Sequence, residues 1–274
     1  MSIEEQWQLS RGAAERYERE LMPAVTALWA SDLIERAAPQ PGEQVLDLAC
    51  GTGIVARLAA EQVGGSRVVG LDVNAGMLAV ARSLPTNASR AIEWREGSAL
   101  ALPFSDGSFD LVFCQLGLQF FTDKRAALRE VWRVLTRTGR VALSVFTSIE
   151  NTPAAKALAE ALDRHLGEGG SRSKRSEHAL ANAGELHELV TGAGFRKLEI
   201  AVVTQTIRFP SVGEYVRAQF SATPLSALLT EMGSAEHLAT LDQITDDLIA
   251  SLGIASKDAE LRFPQEAHVI LAYK

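Results

Sequence analysis

A chain of 274 residues, 47% hydrophobic and 22% charged, has the composition of an ordinary globular protein and is long enough for one elaborated domain. Its net charge of -7 excludes a sequence-independent grip on nucleic acid or an anionic membrane, because both need clustered cations. No stretch approaches the roughly 18 uninterrupted apolar residues of a membrane span. The two cysteines, Cys50 and Cys114, form no CxxC pair and the five histidines no HxxxH pair, so neither a redox dithiol nor a metal site is expected. Both thiols read as small buried apolar groups. With a charged, helical N-terminus in place of a signal peptide, they make the expected location cytoplasmic.

In chain order, residues 3–37 read as two helices broken near Pro23, with Tyr17, Leu21, Val25 and Leu28 at helical spacing. Pro39-Gln-Pro41-Gly42 ends them. Strands and helices then alternate. Val45–Ala49, Arg67–Asp72, Ala91–Glu96, Phe109–Leu116 and Val141–Phe146 read as strands, and Ile54–Val63, Ala75–Leu84 and Asp123–Leu135 as helices. That alternation predicts a parallel sheet with helices on both faces. Asn151–Leu166 reads as a helix. The Gly/Ser-rich stretch Gly167–His178, with its basic cluster Arg172-Ser-Lys174-Arg175, reads as a solvated, mobile loop. A helix at Ala183–Gly192 and strands at Lys197–Phe209 and His268–Lys274 complete the chain. Between those strands, Val212–Ser251 is mostly helical, too long for a hairpin loop, and is predicted to form a lid over the carboxyl ends of the strands.

The segment Val45-Leu-Asp-Leu-Ala-Cys-Gly-Thr-Gly53 carries the chemistry. It is a strand running into a glycine turn, and Asp72 closes the next strand. Bare backbone at such a turn approaches a ligand, and a carboxylate in that place accepts two ribose hydroxyls. An adenosine-containing cofactor is therefore expected. Gly51-Thr-Gly53-Ile-Val-Ala56 also matches the dinucleotide pattern G-x-G-x-x-A, with Asp72 at about the 20-residue distance that pattern requires. An NAD-dependent oxidoreductase is thus one alternative, and a non-catalytic cofactor-binding scaffold is another.

Asp47-Leu-Ala-Cys-Gly-Thr-Gly53, Asp72-Val-Asn-Ala-Gly-Met77 and Leu102-Pro-Phe-Ser-Asp-Gly-Ser-Phe-Asp110 resemble the successive signatures of the class I S-adenosylmethionine-dependent methyltransferases. So does Ala127-Leu-Arg-Glu-Val-Trp-Arg-Val-Leu135 with Gly139-Arg-Val141 after it. More narrowly, the chain is similar to the small-molecule branch typified by ubiquinone- and menaquinone-biosynthesis methyltransferases (methyltransferase type 11). The likeness is close over residues 43–146 and loose over 180–209. It implies an α/β fold with a seven-stranded, mostly parallel Rossmann-like sheet, helices on both faces and the last strand antiparallel. It further implies a single methyltransferase domain over 1–274, with cover helices at 1–40, a cofactor-binding core at 41–146, and lid or substrate-side segments at 147–180 and 211–262.

The implied cofactor is S-adenosylmethionine, with S-adenosylhomocysteine as product, and the implied partner is a small-molecule methyl acceptor. Backbone at Ala49, Gly51 and Gly53 is expected near the methionine and ribose. Asp47 would anchor the turn or meet the methionine ammonium, and Asp72 would take the ribose hydroxyls. Val73 and Met77 would pack on adenine, with Ser98 and Ala99 at its edge; many relatives carry Asp at the position of Ser98. Gln115, Leu116 and Gln119 would face the methionine arm and substrate mouth, and Tyr17 and Met22 would cover the cofactor.

Other residues read more plainly. Asp106 and Asp110 shape the turn before the fourth strand. Leu128 and Trp132 form the core face of their helix, opposite Arg129 and Glu130. Phe120 and Phe121 line a substrate cavity or pack beneath the lid. No general base stands out; of the histidines, which read as surface or strand-end positions, His165 and His178 flank the Gly/Ser stretch and are the candidates. The amphipathic helices at 3–37 and 212–251 either cover the site or form a homodimer.

Overall fold

The computed structural model describes residues 8–86, 91–225 and 234–274. Seven strands form one sheet in the order β3-β2-β1-β4-β5-β7-β6. They are β1 (Val45–Leu48), β2 (Val68–Asp72), β3 (Glu93–Glu96), β4 (Phe109–Gln115), β5 (Leu135–Phe146), β6 (Arg196–Phe209) and β7 (Leu261–Tyr273). The first five run parallel, as the alternation predicts, and β7 lies antiparallel between β5 and β6, as the family resemblance implies. Every residue of β1 and β2 is buried, which is why these strands read as apolar runs interrupted only by Asp47 and ended by Asp72.

Successive side chains leave opposite faces of the sheet. Val45 joins a core under α2 (Ala27–Ala37) and α3 (Ile54–Gln62), while Leu46 joins one under α5 (Lys124–Val134) and α8 (Ala183–Gly192). Helix starts follow capping chemistry. Asn74 accepts from Met77 N at the start of α4 (Ala75–Ser83), Asp123 caps α5 and Asn182 caps α8, each cap contributing about 1 kcal/mol. The strand order reverses between β1 and β4, which opens a crevice at their carboxyl ends.

A separate core lies beyond those ends. Leu21, Leu158, Tyr215, Phe220, Ile244 and Phe263 pack together, joining the N-terminal segment to α6 (Pro153–Leu166), α9 (Val212–Ala222), α10 (Ser234–Leu252) and β7. These elements include most of the segments from which a lid is expected. The parts of the helical readings at 3–7 and 226–233 lie outside the described residues. No described helix is long and apolar enough to cross a membrane.

Four expectations change. Pro23 does not break the first segment. A π-helical stretch, Tyr17–Thr26, continues from α1 (Arg11–Arg16) directly into α2, with Ala27 N donating to Met22 O five residues back. The wider turn gives the proline ring room against the carbonyl four residues before it. β5 begins at Leu135, six residues before Val141, because its polar start Thr136–Arg140 is a real strand edge with a register shift beside Phe109 and Leu111.

β7 begins at Leu261, ahead of Pro264, which argues against a strand in sequence. β5 pairs with β7 only from Ala267 onward, so the missing N–H of Pro264 falls where β6 is the sole flanking strand. Finally, Trp132 is 38% exposed rather than in the core. Its ring lies under Lys274 Nζ, 4.0 Å from the centroid, while Leu128 is buried as expected.

Candidate active site

The turn after β1 is left-handed at three positions, Ala49, Gly51 and Gly53, with φ of 56°, 54° and 87°, and only the alanine is strained there. A left-handed alanine costs about 1 kcal/mol, which the surroundings must offset. Asp47, buried at the end of β1, accepts from Ala56 N at 2.9 Å and so satisfies one of the free N–H groups of the first turn of α3. Asp72 closes β2, and its two oxygens accept from Gly51 N at 2.7 Å and Asn74 N at 2.8 Å. These bonds tie the two strand ends into one edge. Each carboxylate oxygen retains a lone pair for a further donor.

A cavity of about 160 Å³ opens on this edge, over the ends of β1, β2 and β4. The N-terminal segment roofs it. A Cβ on Gly76 would stand 2.4 Å from Leu9 O, so that segment lies flat on α4. Tyr17 Oη and Thr26 Oγ1, at the two ends of the π-helical stretch, are hydrogen-bonded at 2.8 Å, and Gln115 Nε2 donates to Thr26 O at 2.8 Å. A second cavity of about 110 Å³ adjoins the first, and Tyr17, Thr26, Leu116 and Phe120 line both.

The site is electrostatically unusual. Burial raises the Asp72 carboxyl above its ordinary range, with N–H donation from Asn74 and Gly51 opposing it. Burial pushes Asp47 up to about 8, a rise that the nearby Asp72 charge reinforces. Tyr17 rises to about 12, mainly through burial. Among the described residues, no group of His, Cys, Asp and Glu is arranged to hold a metal.

The family model described as a methyltransferase domain matches residues 46–143. A demethylmenaquinone methyltransferase of Lactococcus lactis is 35% identical over 185 residues, covering 63% of this chain and 73% of that protein. The chain belongs to the class I S-adenosylmethionine-dependent methyltransferases. A ubiquinone/menaquinone biosynthesis C-methyltransferase of Stenotrophomonas maltophilia is 45% identical over 125 residues, 44% of this chain and 49% of that protein. The chain thus spans about half the length of that curated relative. Among solved structures, the YcgJ protein of Bacillus subtilis has a TM-score of 0.58 at 19% identity, covering 90% of this chain and 98% of its own. The phosphoethanolamine N-methyltransferase 2 of Haemonchus contortus, solved with phosphomonomethylethanolamine and S-adenosylhomocysteine, gives 0.55 at 20% identity, covering 89% of this chain and 52% of its own. At such identities the likeness is one of fold.

Tyr17, Ala49, Gly51 and Asp72 line the first cavity, as do Val73, Met77, Ala99 and Gln115. Four expected residues stand outside its wall. Met22 is only half-buried on the cover segment and reaches neither cavity. Asp47 lies behind the turn, in the anchoring role. Ser98 turns its hydroxyl back on the chain, accepting from Leu100 N at 3.2 Å. Gly53 is a glycine for a different reason than ligand approach: a Cβ there would stand 2.1 Å from the Trp94 ring.

The general-base candidates are also displaced. His165 Nε2 is 2.8 Å from Asp247 Oδ2, and His165 lines neither cavity. His178 is buried, stacks on Phe146 and bonds Thr147 O through Nδ1 at 2.7 Å, again outside both walls. Asp110 accepts from Gln44 N and Asp106 pairs with Arg133, both shaping the turn.

Sequence reasoning missed Thr26, Asn74 and Gly117 in the first wall, where only the fold brings them in. It also misread Gly167–His178. That stretch contains a short helix, α7 (Arg172–Ser176), with Lys174, Ser176 and His178 buried, and Lys174 and Glu177 line the second cavity. Asp163 holds it down by accepting from Ser171 N and Oγ at 3.0 and 2.8 Å.

Proposed function

We propose that the chain transfers a methyl group from S-adenosylmethionine to a small organic acceptor. The observation that carries this reading is Asp72, a buried carboxylate in the cavity wall at the end of β2, next to the open turn at Gly51. The donor set suits an adenosyl group with a cationic tail. A Cβ on Gly51 would meet nothing within 4 Å, so the backbone there is open to a ligand. Val73 and Met77 offer apolar surface beside Asp72, whose two oxygens each keep a lone pair for a hydroxyl donor.

In this reading Asp72 takes the ribose hydroxyls and Val73, Met77 and Ala99 hold the adenine. Gln115, fixed by Thr26, meets the methionine arm, and Asp47 holds the turn in shape. Ser98, its hydroxyl engaged locally, contributes at most its backbone. Tyr17 closes the roof and excludes water. When bound, S-adenosylmethionine supplies an electrophilic methyl on a sulfonium that departs as a neutral thioether. The protein's task is then to align the acceptor, an orientation effect of about 7–11 kcal/mol at its upper range.

A dinucleotide cofactor fits less well. The second glycine of the G-x-G-x-x-A pattern accommodates Trp94, so it is not spare backbone for a pyrophosphate. Two buried free thiols suit a cytoplasmic setting. The packing of Leu21 and Ile244 into one intrachain core suits a covering role for the helices rather than a homodimer.

The test is methyl release from labelled S-adenosylmethionine against a metabolite panel. Acceptor-dependent release supports the reading. S-adenosylhomocysteine binding with no turnover on any acceptor points instead to a non-catalytic scaffold.

A further inference from the structure

The second cavity has a clear division of character. Phe120, Phe146, Tyr215 and Phe263 give it flat apolar walls. Its polar end is Lys174, 5% exposed, whose ammonium donates to Glu177 Oε2 at 2.8 Å and Gln219 Oε1 at 2.9 Å. An ammonium has three donors, so one remains. Gln119, 1% exposed, spends its Nε2 on Leu116 O at 2.9 Å and leaves Oε1 without a partner among the described residues. The buried hydroxyl of Thr152, in the same wall, is also without one among the described residues.

A buried ion pair is a poor stabilising device, and α7 is already held by Asp163 through Ser171 and Arg175. Lys174 and Glu177 also lie beyond residues 46–143, so the matched family region does not account for them.

We propose that this cavity is the acceptor site, and that the Lys174–Glu177 pair selects an acceptor bearing a neutral ring hydroxyl, a phenol or an enol, and takes its proton. The inference rests on the methyltransferase reading. The charges decide the class. An ammonium would face Lys174, and a carboxylate would face Glu177 and the bare Gln119 Oε1. A hydroxyl satisfies both sides, because its oxygen accepts from Lys174 while its hydrogen is donated to a neighbouring oxygen. When the hydroxyl ionises, its proton passes to the Glu177 carboxylate, which becomes the neutral acid. The electron pair stays on the acceptor oxygen beside the Lys174 ammonium, activating that oxygen, or the ring conjugated to it, as nucleophile.

The test uses the full chain saturated with S-adenosylhomocysteine and three ring probes: p-nitrophenol, benzylamine and benzoate. p-Nitrophenol is expected to bind at least about tenfold more tightly than the other two. Its visible absorbance should show ionisation about one pH unit or more below that of the free phenol. Lys174→Met should abolish that shift and improve benzylamine binding, whereas Glu177→Gln should improve benzoate binding. A merely structural pair would produce no such exchange of charge preference. Retained S-adenosylhomocysteine affinity shows that each variant is folded, and the wild-type ranking stands if one is not. Benzoate or benzylamine binding as tightly as p-nitrophenol, or an unshifted nitrophenol, would overturn this inference alone. A wild-type chain that fails to bind S-adenosylhomocysteine would overturn the methyltransferase reading and this inference with it.

Discussion

The two adjoining cavities are built in opposite ways. The first is edged by strand ends and a single strained turn, and its key polar group, Asp72, is held by backbone N–H groups only 21 and 2 residues away. The second draws its wall from the π-helical cover, α6, α7, α9 and β7, and its key ammonium is fixed by Gln219, 45 residues distant. A wall made of local backbone changes little when distant side chains change. A wall made of separate helical segments can be rebuilt for another guest without disturbing its neighbour. One surface is thereby suited to a constant cofactor and the other to a variable acceptor.

Variants on either side sharpen this contrast. The largest effect is expected from Asp72→Ala, which removes two charge-assisted acceptors and should weaken S-adenosylhomocysteine binding about 100-fold by calorimetry. Unchanged affinity would place the nucleoside elsewhere. Next comes Gly53→Ala, where the new Cβ meets the Trp94 ring at 2.1 Å on a backbone with φ of 87°. Denaturant unfolding should show a loss of about 2–3 kcal/mol. Adding Trp94→Leu should recover the steric part and leave about 1 kcal/mol of backbone strain.

A third effect is a pH dependence. Because burial pushes Asp47 up to about 8 from an ordinary aspartate value of 3.8, the folded chain keeps a proton that the unfolded chain has already released. Its contribution to stability is therefore full below about pH 4 and declines as the pH rises toward 8. Asp47→Asn should flatten the unfolding free energy across that window; an unaltered slope would show that Asp47 is not its source. The smallest effect belongs to the other wall: Tyr215→Phe should leave S-adenosylhomocysteine affinity within about twofold, since Tyr215 lines only the second cavity.

Legibility in the sequence follows the same division. The strands β1, β2 and β4 are short buried runs with clear ends, and the glycine turn with Asp72 lies within one β-α-β unit, so local pattern was enough. Gly53 was read as facing a ligand because its partner Trp94 lies 41 positions on and carries no local signal. Gly167–His178 has the composition of a loop, yet Asp163, Gln219 and Phe146 bury it through tertiary contacts. Pro23 reads as a breaker, and the last strand reads as starting only at His268, past Pro264. The wider π turn accommodates one, and a single-sided stretch of strand the other.

The account stands on the turn and Asp72 holding the nucleoside of S-adenosylmethionine. Titration calorimetry with S-adenosylhomocysteine and with NAD on the same preparation tests this most directly. Saturable one-site binding of S-adenosylhomocysteine with no heat from NAD is the predicted result. Tight binding of NAD with no response to S-adenosylhomocysteine would contradict it.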